Sequence, residues 1–241
     1  MDVRKLAGHS RISCCVVAID AVIFDWGGTL TPWHTIDQRE SWLAATGDPA
    51  LADRLSAAED LAWTRSRNEH TSATLAEVLQ AAGVDADDRL LANYHAWWEP
   101  HTLTDPDVPE LFAWLREHGI RIGVLSNTIW PKDRHEAIFA RDEVLALIDG
   151  AVYTSEIPWT KPHAEAFRAA LAAVGVADPS RAVYVGDRPF DDIHGAKSVG
   201  MRAVLVPHST VPEWQRGHTE GEPDAVVERL ADLRAVIEGW L

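Results

Sequence analysis

Residues 21–30 have the sequence AVIFDWGGTL, in which a short apolar run ends at a single carboxylate, Asp25. A run of β-forming residues that stops at a glycine-containing turn is typical of a buried strand. Such a strand delivers its last side chain to the edge of the sheet. We therefore expect Asp25 at that edge. Two residues later, where a second carboxylate would be chemically useful, the chain has Gly27.

The composition indicates a globular protein with a full hydrophobic core. The chain has 241 residues, of which 46% are hydrophobic, enough for one large domain or a large domain with a smaller insertion. Phosphate backbones and anionic lipids would repel its formal net charge of −15. The lysines are scattered along the chain, at Lys5, Lys132, Lys161 and Lys197. We therefore expect neither nucleic acid nor a membrane as a partner.

The first residues carry few signals of regular structure, and we expect residues 1–15 to form a loose tail. Acidic residues interrupt the first apolar segment and no small-residue cleavage site follows, so we expect no signal peptide. The two cysteines, Cys14 and Cys15, are adjacent and poorly placed for a mutual disulfide. This pattern favours a reducing, cytoplasmic location.

Helix signals fill residues 32–104, and we expect an all-helical insertion there. Asp48 precedes a proline, a combination typical of a helix N-cap followed by the first helical residue. Thr71 and Asp85 are predicted to cap two further helices. The first of these two is predicted to end at Gly83, because glycine is favoured just past a helix C-terminus.

Helices alternate with apolar strands from residue 105 onward. The predicted strands are IRIGVLSN (120–127), AVYTS (151–155), RAVYVGD (181–187), RAVLV (202–206) and DAVV (224–227). The predicted helices include one from Asp192 to Val199 and a closing amphipathic helix that runs to Leu241. The alternation predicts an α/β fold, in which helices cover both faces of a parallel sheet and ligands bind at the carboxyl ends of the strands. The core would then consist of residues 16–31 and 105–241.

Polar side chains follow several of these strands and should converge at one edge of the sheet. They are Asp25, Ser126 with Asn127, Lys161, and Asp187 with Asp191 and Asp192. A buried group of carboxylates repels itself unless a cation lies among its members. Mg²⁺ prefers oxygen ligands and leaves positions open for water and a substrate phosphate. The pattern therefore predicts a Mg²⁺ site.

Each polar residue would have a distinct role in phosphoryl transfer at such a site. Asp25 would be both a metal ligand and the nucleophile that attacks phosphorus. Ser126 would hydrogen-bond a phosphoryl oxygen, and Lys161 would stabilise developing negative charge. Each residue also has a purely structural interpretation as a turn or cap residue, and either Asp191 or Asp192 is expected to cap a helix. Their order and spacing favour the functional interpretation.

Four segments resemble the successive motifs of the haloacid dehalogenase superfamily: FDWGGTL, VLSNT, TKP and VGDRPFDDIHGAKSVGMRAVLV. The resemblance covers residues 18–241 and implies a Rossmann-like core with a helical cap inserted after the first motif. It implies Asp25 as nucleophile, and Ser126 and Lys161 as phosphate-handling groups. The ligands that it implies for Mg²⁺ are Asp25, Asp187, Asp192 and the main-chain carbonyl of Gly27.

Gly27 departs from the pattern of the superfamily's phosphatases and phosphomutases, which usually have an Asp there as general acid and base. This argues against mutase chemistry. Glycine at this position is also expected to suit a backbone conformation that Asp resists. Dehalogenases of the superfamily lack the second Asp too, but they usually replace the acidic GD of the last motif, which GDRPFDD retains. Phosphonatases use a cap lysine, and residues 31–105 contain no lysine.

The predicted function is Mg²⁺-dependent hydrolysis of a small phosphorylated metabolite through an aspartyl-phosphate. The alternatives are a metal-independent haloacid dehalogenase-like hydrolase and a catalytically silent binding protein of the same fold. Substrate contacts are expected from Gly28, Thr29 and Asn127, with Arg188 and His34 as further candidates. Arg65 and Arg67, close to Trp63 in the cap, are candidates for substrate selection.

Overall fold

The computed structural model describes residues 18–207 and 222–241. The expected tail, residues 1–15 with both cysteines, lies outside the described residues. Six strands are described: β1 (Ala21–Phe24), β2 (Arg121–Ser126), β3 (Gly150–Tyr153), β4 (Ala182–Gly186), β5 (Arg202–Leu205) and β6 (Ala225–Val226). They pair in parallel in the order β3-β2-β1-β4-β5-β6. The predicted parallel α/β architecture is confirmed.

Helices cover both faces of the sheet because each central strand is apolar on both sides. In β1, Val22 and Phe24 pack into one core and Ala21 and Ile23 into the other. The first core is closed by α5 (Val108–Glu117), α6 (Lys132–Arg141) and α9 (Leu233–Glu238). The second is closed by α7 (Ala164–Ala173) and α8 (Gly195–Ser198). Burial on both sides leaves the carboxyl edge as the place where polar side chains reach a ligand.

Four helices occupy the region of the predicted insertion. They are α1 (Gln38–Thr46), α2 (Pro49–Glu69), α3 (Leu75–Ala81) and α4 (Asp88–Trp98). They share a core that includes Trp42, Leu55 and Tyr94, and Trp130 from the loop after β2 packs into the same core. The helical segment therefore packs directly against the carboxyl edge of the sheet.

The chain leaves and re-enters the sheet region at adjacent points. The N–H of Asp105 donates to the carbonyl of Leu30 at 2.8 Å, and the hydroxyl of Thr31 donates to the carbonyl of Leu103 at 2.5 Å. The domain boundaries near residues 31 and 105 stay a prediction, and these bonds hold the two connecting segments side by side at that place.

Two of the predicted helix caps are wrong by a few residues. Thr74, and not Thr71, caps α3, and its side chain and that of Glu77 form a reciprocal capping box. Asp87, and not Asp85, caps α4 by accepting from the N–H of Leu90 at 2.7 Å. In each case the true cap is the last extended residue before the helix, with φ near −120°.

The helix predicted from Asp192 to Val199 begins earlier than expected. A π-helical turn over Pro189–His194 leads into α8, and it encloses Asp192 completely. The buried carboxylate accepts from the N–H of Arg188 at 2.9 Å, which draws the start of the turn back toward the sheet. Among the described residues, no helix is both long and apolar enough to cross a membrane.

Candidate active site

Lys161 lies at the centre of the candidate active site, between two carboxylates. Its ammonium nitrogen is 2.6 Å from Oδ1 of Asp25 and 2.7 Å from Oδ1 of Asp192, and all three side chains are buried. Burial alone would lower the pKa of Lys161, but the charges of Asp192 and Asp25 outweigh it and hold this pKa well above its ordinary value. Lys161 therefore stays protonated and joins Asp25, directly after β1, to Asp192 in the turn that follows β4.

Asp25 follows β1 directly, and the sheet holds its main chain in place. Its N–H donates to the carbonyl of Val185 at 2.9 Å, which continues the pairing of β1 with β4 by one residue. Burial raises the pKa of Asp25, and the charge of Lys161 opposes that rise. The side chain lines a cavity at the carboxyl edge, where the sequence predicts it.

Asp187 joins Asp25 and Asp192 in a buried acidic cluster. Each residue offers one carboxylate oxygen, and the three oxygens lie within 4.8 Å of one another. A Cβ at Gly186 would lie 2.4 Å from the carboxyl carbon of Asp192. A Cβ at Gly28 would lie 2.8 Å from Oδ2 of Asp187, and the φ of Gly28 is +92°. The packing of the cluster therefore requires glycine at both flanking positions.

The loop after β1 folds back on itself through main-chain hydrogen bonds. The carbonyl of Trp26 accepts from the N–H of Thr31 at 2.9 Å, and the N–H of Gly28 donates to the carbonyl of Thr31 at 2.8 Å. Within this described loop, the carbonyl of Gly27 accepts none of the main-chain hydrogen bonds. That carbonyl is thus a candidate oxygen ligand next to the acidic cluster.

Ser126 and Asn127 end β2 and line the same cavity, but they differ in what they contact. Ser126 is buried to 2% exposure. The side chain of Asn127 holds the main chain of Lys161: its oxygen accepts from the Lys161 N–H at 2.8 Å, and its nitrogen donates to the Lys161 carbonyl at 3.1 Å. Asn127, predicted as a substrate contact, thus positions the loop that carries Lys161.

Three of the other predicted substrate contacts reach the cavity and one does not. Gly28, His34 and Arg188 line it, whereas Thr29 is buried at 1% exposure and lies outside the cavity lining. His34 is exposed, and its ring lies edge-on to that of His101 with a centroid separation of 5.2 Å.

Arg188 is tethered between the acidic cluster and the helical insertion. Its Nε lies 3.2 Å from Oδ2 of Asp187, and its guanidinium carbon lies 4.6 Å from the ring centroid of Trp33. A guanidinium held next to the acidic cluster is placed to meet an anionic group of a ligand in the cavity.

Tyr184 of β4 is a site residue that the sequence analysis misses. Its hydroxyl accepts from Nζ of Lys161 at 2.9 Å and donates to the carbonyl of Leu125 at 3.1 Å. It also lies 3.3 Å from Oδ1 of Asp192. The one sequence signal is a hydroxyl-bearing ring inside an otherwise apolar strand. That signal does not say which partners the hydroxyl meets, because they come from other strand ends.

The cavity has a volume of about 520 Å³ and extends from the acidic cluster to the helical insertion. Glu59 of α2, which the sequence analysis also misses, lines it at 4% exposure. Of the two cap arginines proposed for substrate selection, Arg67 lines the cavity and Arg65 does not. The aromatic side chains of the lining are Trp26, Trp33, Trp63, Tyr94, Trp98 and Trp130.

A family model described as haloacid dehalogenase-like hydrolase matches residues 19–200. The chain belongs to this family of hydrolases. Among curated relatives of the hydrolase, the phosphoserine phosphatase of Thermus thermophilus is 35% identical over 134 residues, which are 54% of this chain and 49% of that protein. The glyceraldehyde 3-phosphate phosphatase of Methanothermobacter thermautotrophicus is 32% identical over 134 residues, or 55% of this chain and 58% of that protein. The matches therefore span only about half the length of these two relatives.

A third relative matches over nearly its whole length, as do two solved structures. The glyceraldehyde 3-phosphate phosphatase of Methanopyrus kandleri is 28% identical over 231 residues, 91% of this chain and 97% of that protein. A haloacid dehalogenase-family phosphatase from Thermococcus onnurineus has a TM-score of 0.63 at 24% identity, and covers 92% of this chain and 99% of its own. An L-2-haloacid dehalogenase from Xanthobacter autotrophicus has the same TM-score and coverage at 21% identity. The two solved structures show a shared fold.

Proposed function

We propose that this hydrolase cleaves phosphate monoesters of small molecules with Mg²⁺ and through an aspartyl-phosphate on Asp25. The proposal rests mainly on the acidic cluster of Asp25, Asp187 and Asp192, which lies next to Lys161 at the carboxyl edge of the sheet. The names of the curated relatives support the proposal, since they are phosphatases of phosphoserine and of glyceraldehyde 3-phosphate. These two substrates differ in their organic part and share a phosphate monoester.

The residues of the acidic cluster fit Mg²⁺. Asp25, Asp187 and Asp192 supply hard oxygen donors within 4.8 Å of one another, and the carbonyl of Gly27 is a further candidate. Three buried carboxylates and one lysine leave an excess of negative charge that a divalent cation would offset. When bound, Mg²⁺ would supply Lewis-acid stabilisation of the phosphoryl oxygens.

The protein's own residues would carry the covalent steps. A carboxylate oxygen of Asp25 forms a bond to phosphorus while the bond from phosphorus to the leaving oxygen breaks, and the leaving oxygen takes a proton from solvent water to depart as the alcohol. Water then attacks the aspartyl-phosphate, which releases inorganic phosphate and restores Asp25. Lys161 keeps a fixed positive charge at 2.6 Å from the nucleophile, and the hydroxyl of Ser126 would donate a hydrogen bond to a phosphoryl oxygen.

The first prediction concerns the nucleophile. Asp25→Asn removes the attacking charge and a metal ligand, so we expect hydrolysis of p-nitrophenyl phosphate to fall at least roughly 10³-fold. Excess chelator should abolish the wild-type activity, and added Mg²⁺ should restore it. Asp85→Asn is the matched control, because Asp85 is exposed and is not among the residues that line the cavity.

Three results would contradict the proposal. Full phosphatase activity in Asp25→Asn or in chelator would exclude the mechanism. Release of halide from 2-haloacids without metal would favour the dehalogenase alternative. Failure to turn over any phosphorylated or halogenated substrate would favour a silent binding protein.

A further inference from the structure

Glu59 is a buried carboxylate in the cavity that the phosphoryl-transfer chemistry does not use. It lies in the middle of α2 at 4% exposure. The indole N–H of Trp42 donates to its Oε2 at 2.7 Å, and the indole N–H of Trp63 donates to its Oε1 at 3.3 Å. Each carboxylate oxygen thus has a donor that fixes the side chain in place.

The charge of Glu59 has no compensating cation within the described part of the chain. No lysine, arginine or histidine there forms an ion pair with it, and its neighbours donate only neutral N–H groups. Arg67, which also lines the cavity, donates to the hydroxyl of Thr64 at 3.0 Å. Burial raises the pKa of Glu59, which expresses the cost of holding this charge without a counterion. A bound cation would remove that cost.

Aromatic rings connect Glu59 with the nucleophile. Trp26, the residue after Asp25, lies 5.7 Å from Trp130 between ring centroids, and Trp130 lies 6.2 Å from Tyr94. Tyr94 stacks on Trp42 at 4.3 Å, and Trp42 holds the Glu59 carboxylate. The cavity wall thus contains the rings of Trp26, Trp130 and Tyr94, together with those of Trp33, Trp63 and Trp98, whereas Trp42 is fully buried and lies outside the lining. Ring faces attract cations, so this wall and Glu59 favour the same kind of ligand group.

We propose that Glu59 and the surrounding rings bind an organic ammonium group of the substrate. The preferred substrates are then phosphate monoesters of amino alcohols or of their N-methylated forms, with the phosphate at Asp25 and the ammonium at Glu59. This specificity rests on the proposed phosphatase function. The net charge of −15 agrees with it, because a substrate that carries its own positive charge is repelled less than a polyanion.

The test compares substrates that match in shape and differ in charge. O-Phosphoethanolamine is paired with propyl phosphate, and phosphocholine with 3,3-dimethylbutyl phosphate. We expect the wild-type protein to favour the cationic member of each pair by at least about tenfold in kcat/KM, the range of a desolvated cation–π and carboxylate contact. In Glu59→Gln, which keeps the size of the side chain and loses its charge, the ratio should fall to near one. Glu69→Gln, an exposed position on the same helix, is the matched control and should keep the wild-type ratio.

Calorimetric titration with phosphocholine and 3,3-dimethylbutyl phosphate repeats the comparison without turnover. Tighter binding of phosphocholine to the wild type than to Glu59→Gln supports the ammonium site, even if the protein hydrolyses neither compound. In that case the absence of hydrolysis would overturn the phosphatase function and leave the ammonium site standing. Equal kcat/KM and equal binding for both members of each pair in the wild type would overturn the ammonium site and leave the phosphatase function standing. A preference for glycerol 3-phosphate over O-phosphoethanolamine would also overturn the ammonium site, and would indicate instead that Glu59 binds a hydroxyl group of the substrate.

Discussion

Two neighbouring glycines in the loop after β1 differ in whether the structure requires glycine there. A Cβ at Gly28 would lie 2.8 Å from Asp187, at a φ of +92° that other residues rarely adopt. A Cβ at Gly27 would meet no atom within 4 Å, and its φ lies outside the left-handed region. The expectation that the backbone needs glycine at position 27 is therefore wrong. The missing carboxylate at Gly27 is a chemical difference and not a steric necessity.

Substitution of Gly27 tests that chemical difference. A carboxyl group there would protonate the leaving oxygen and activate water, and such catalysis is typically worth roughly 10² to 10⁴ in rate. We expect Gly27→Asp to raise turnover of ethyl phosphate about tenfold more than turnover of p-nitrophenyl phosphate, whose leaving group needs little protonation. Steady-state kinetics with both substrates measure this ratio. Gly28→Asp is the matched control, and it should lose activity because its side chain collides with Asp187.

An equal effect of Gly27→Asp on both substrates would show that another group already transfers the proton. His34 is the first candidate, because it lines the cavity beyond the nucleophile loop. In that case His34→Ala should reduce turnover of ethyl phosphate more than turnover of p-nitrophenyl phosphate.

At the scale of single elements, the start of α4 distinguishes a true cap from a plausible one. Asp85 and Asp87 are both exposed, yet only the Asp87 side chain accepts from an N–H of the first turn, that of Leu90. We expect Asp87→Ala to lower the free energy of unfolding by about 1 kcal/mol, the usual contribution of an N-cap. Asp85→Ala should change it by less than about 0.5 kcal/mol. Urea denaturation of the two variants measures the difference, and equal losses would contradict the cap assignment.

For the whole molecule, the packing of α6 on the carboxyl edge of the sheet buries a histidine that folding keeps neutral. Burial lowers the pKa of His135 to about 3, and the nearby Arg134 contributes in the same direction. Its ring stacks on Tyr153 at 4.5 Å and lies edge-on to Trp26 at 4.6 Å. In the unfolded chain a histidine binds a proton below about pH 6.5. Between about pH 6.5 and 3, the unfolded state therefore binds more protons at this residue than the folded state.

The free energy of unfolding should consequently decrease as the pH falls below about 6.5, and His135 alone should account for a loss of up to about 1.4 kcal/mol per pH unit. His135→Phe keeps an aromatic ring at the position and removes the titrating nitrogen. We expect the free energy of unfolding of the variant to fall less steeply between pH 6.5 and 4.5 than that of the wild type. Urea denaturation across this range gives both slopes, and the carboxylates contribute equally to the two chains. Identical slopes would contradict the assignment.

Local patterns in the sequence were sufficient for the strands, for most helices and for the acidic residues at the strand ends. A strand or a helix is predicted by the spacing of apolar residues that are close together in the sequence. The family motifs contain Asp25, Lys161 and Asp187, so they identify these site residues directly. The helix caps were predicted less accurately, because the sequence offers two possible N-cap residues for α3 and for α4. The backbone conformation just before each helix decides which of them is the cap. The partners of Tyr184 and Asn127 depended on the tertiary structure, since Lys161 lies 23 and 34 residues away from them in the chain. Glu59 belongs to the same class: its role follows from tryptophans and a cavity that only the packing of the helical insertion on the sheet brings together.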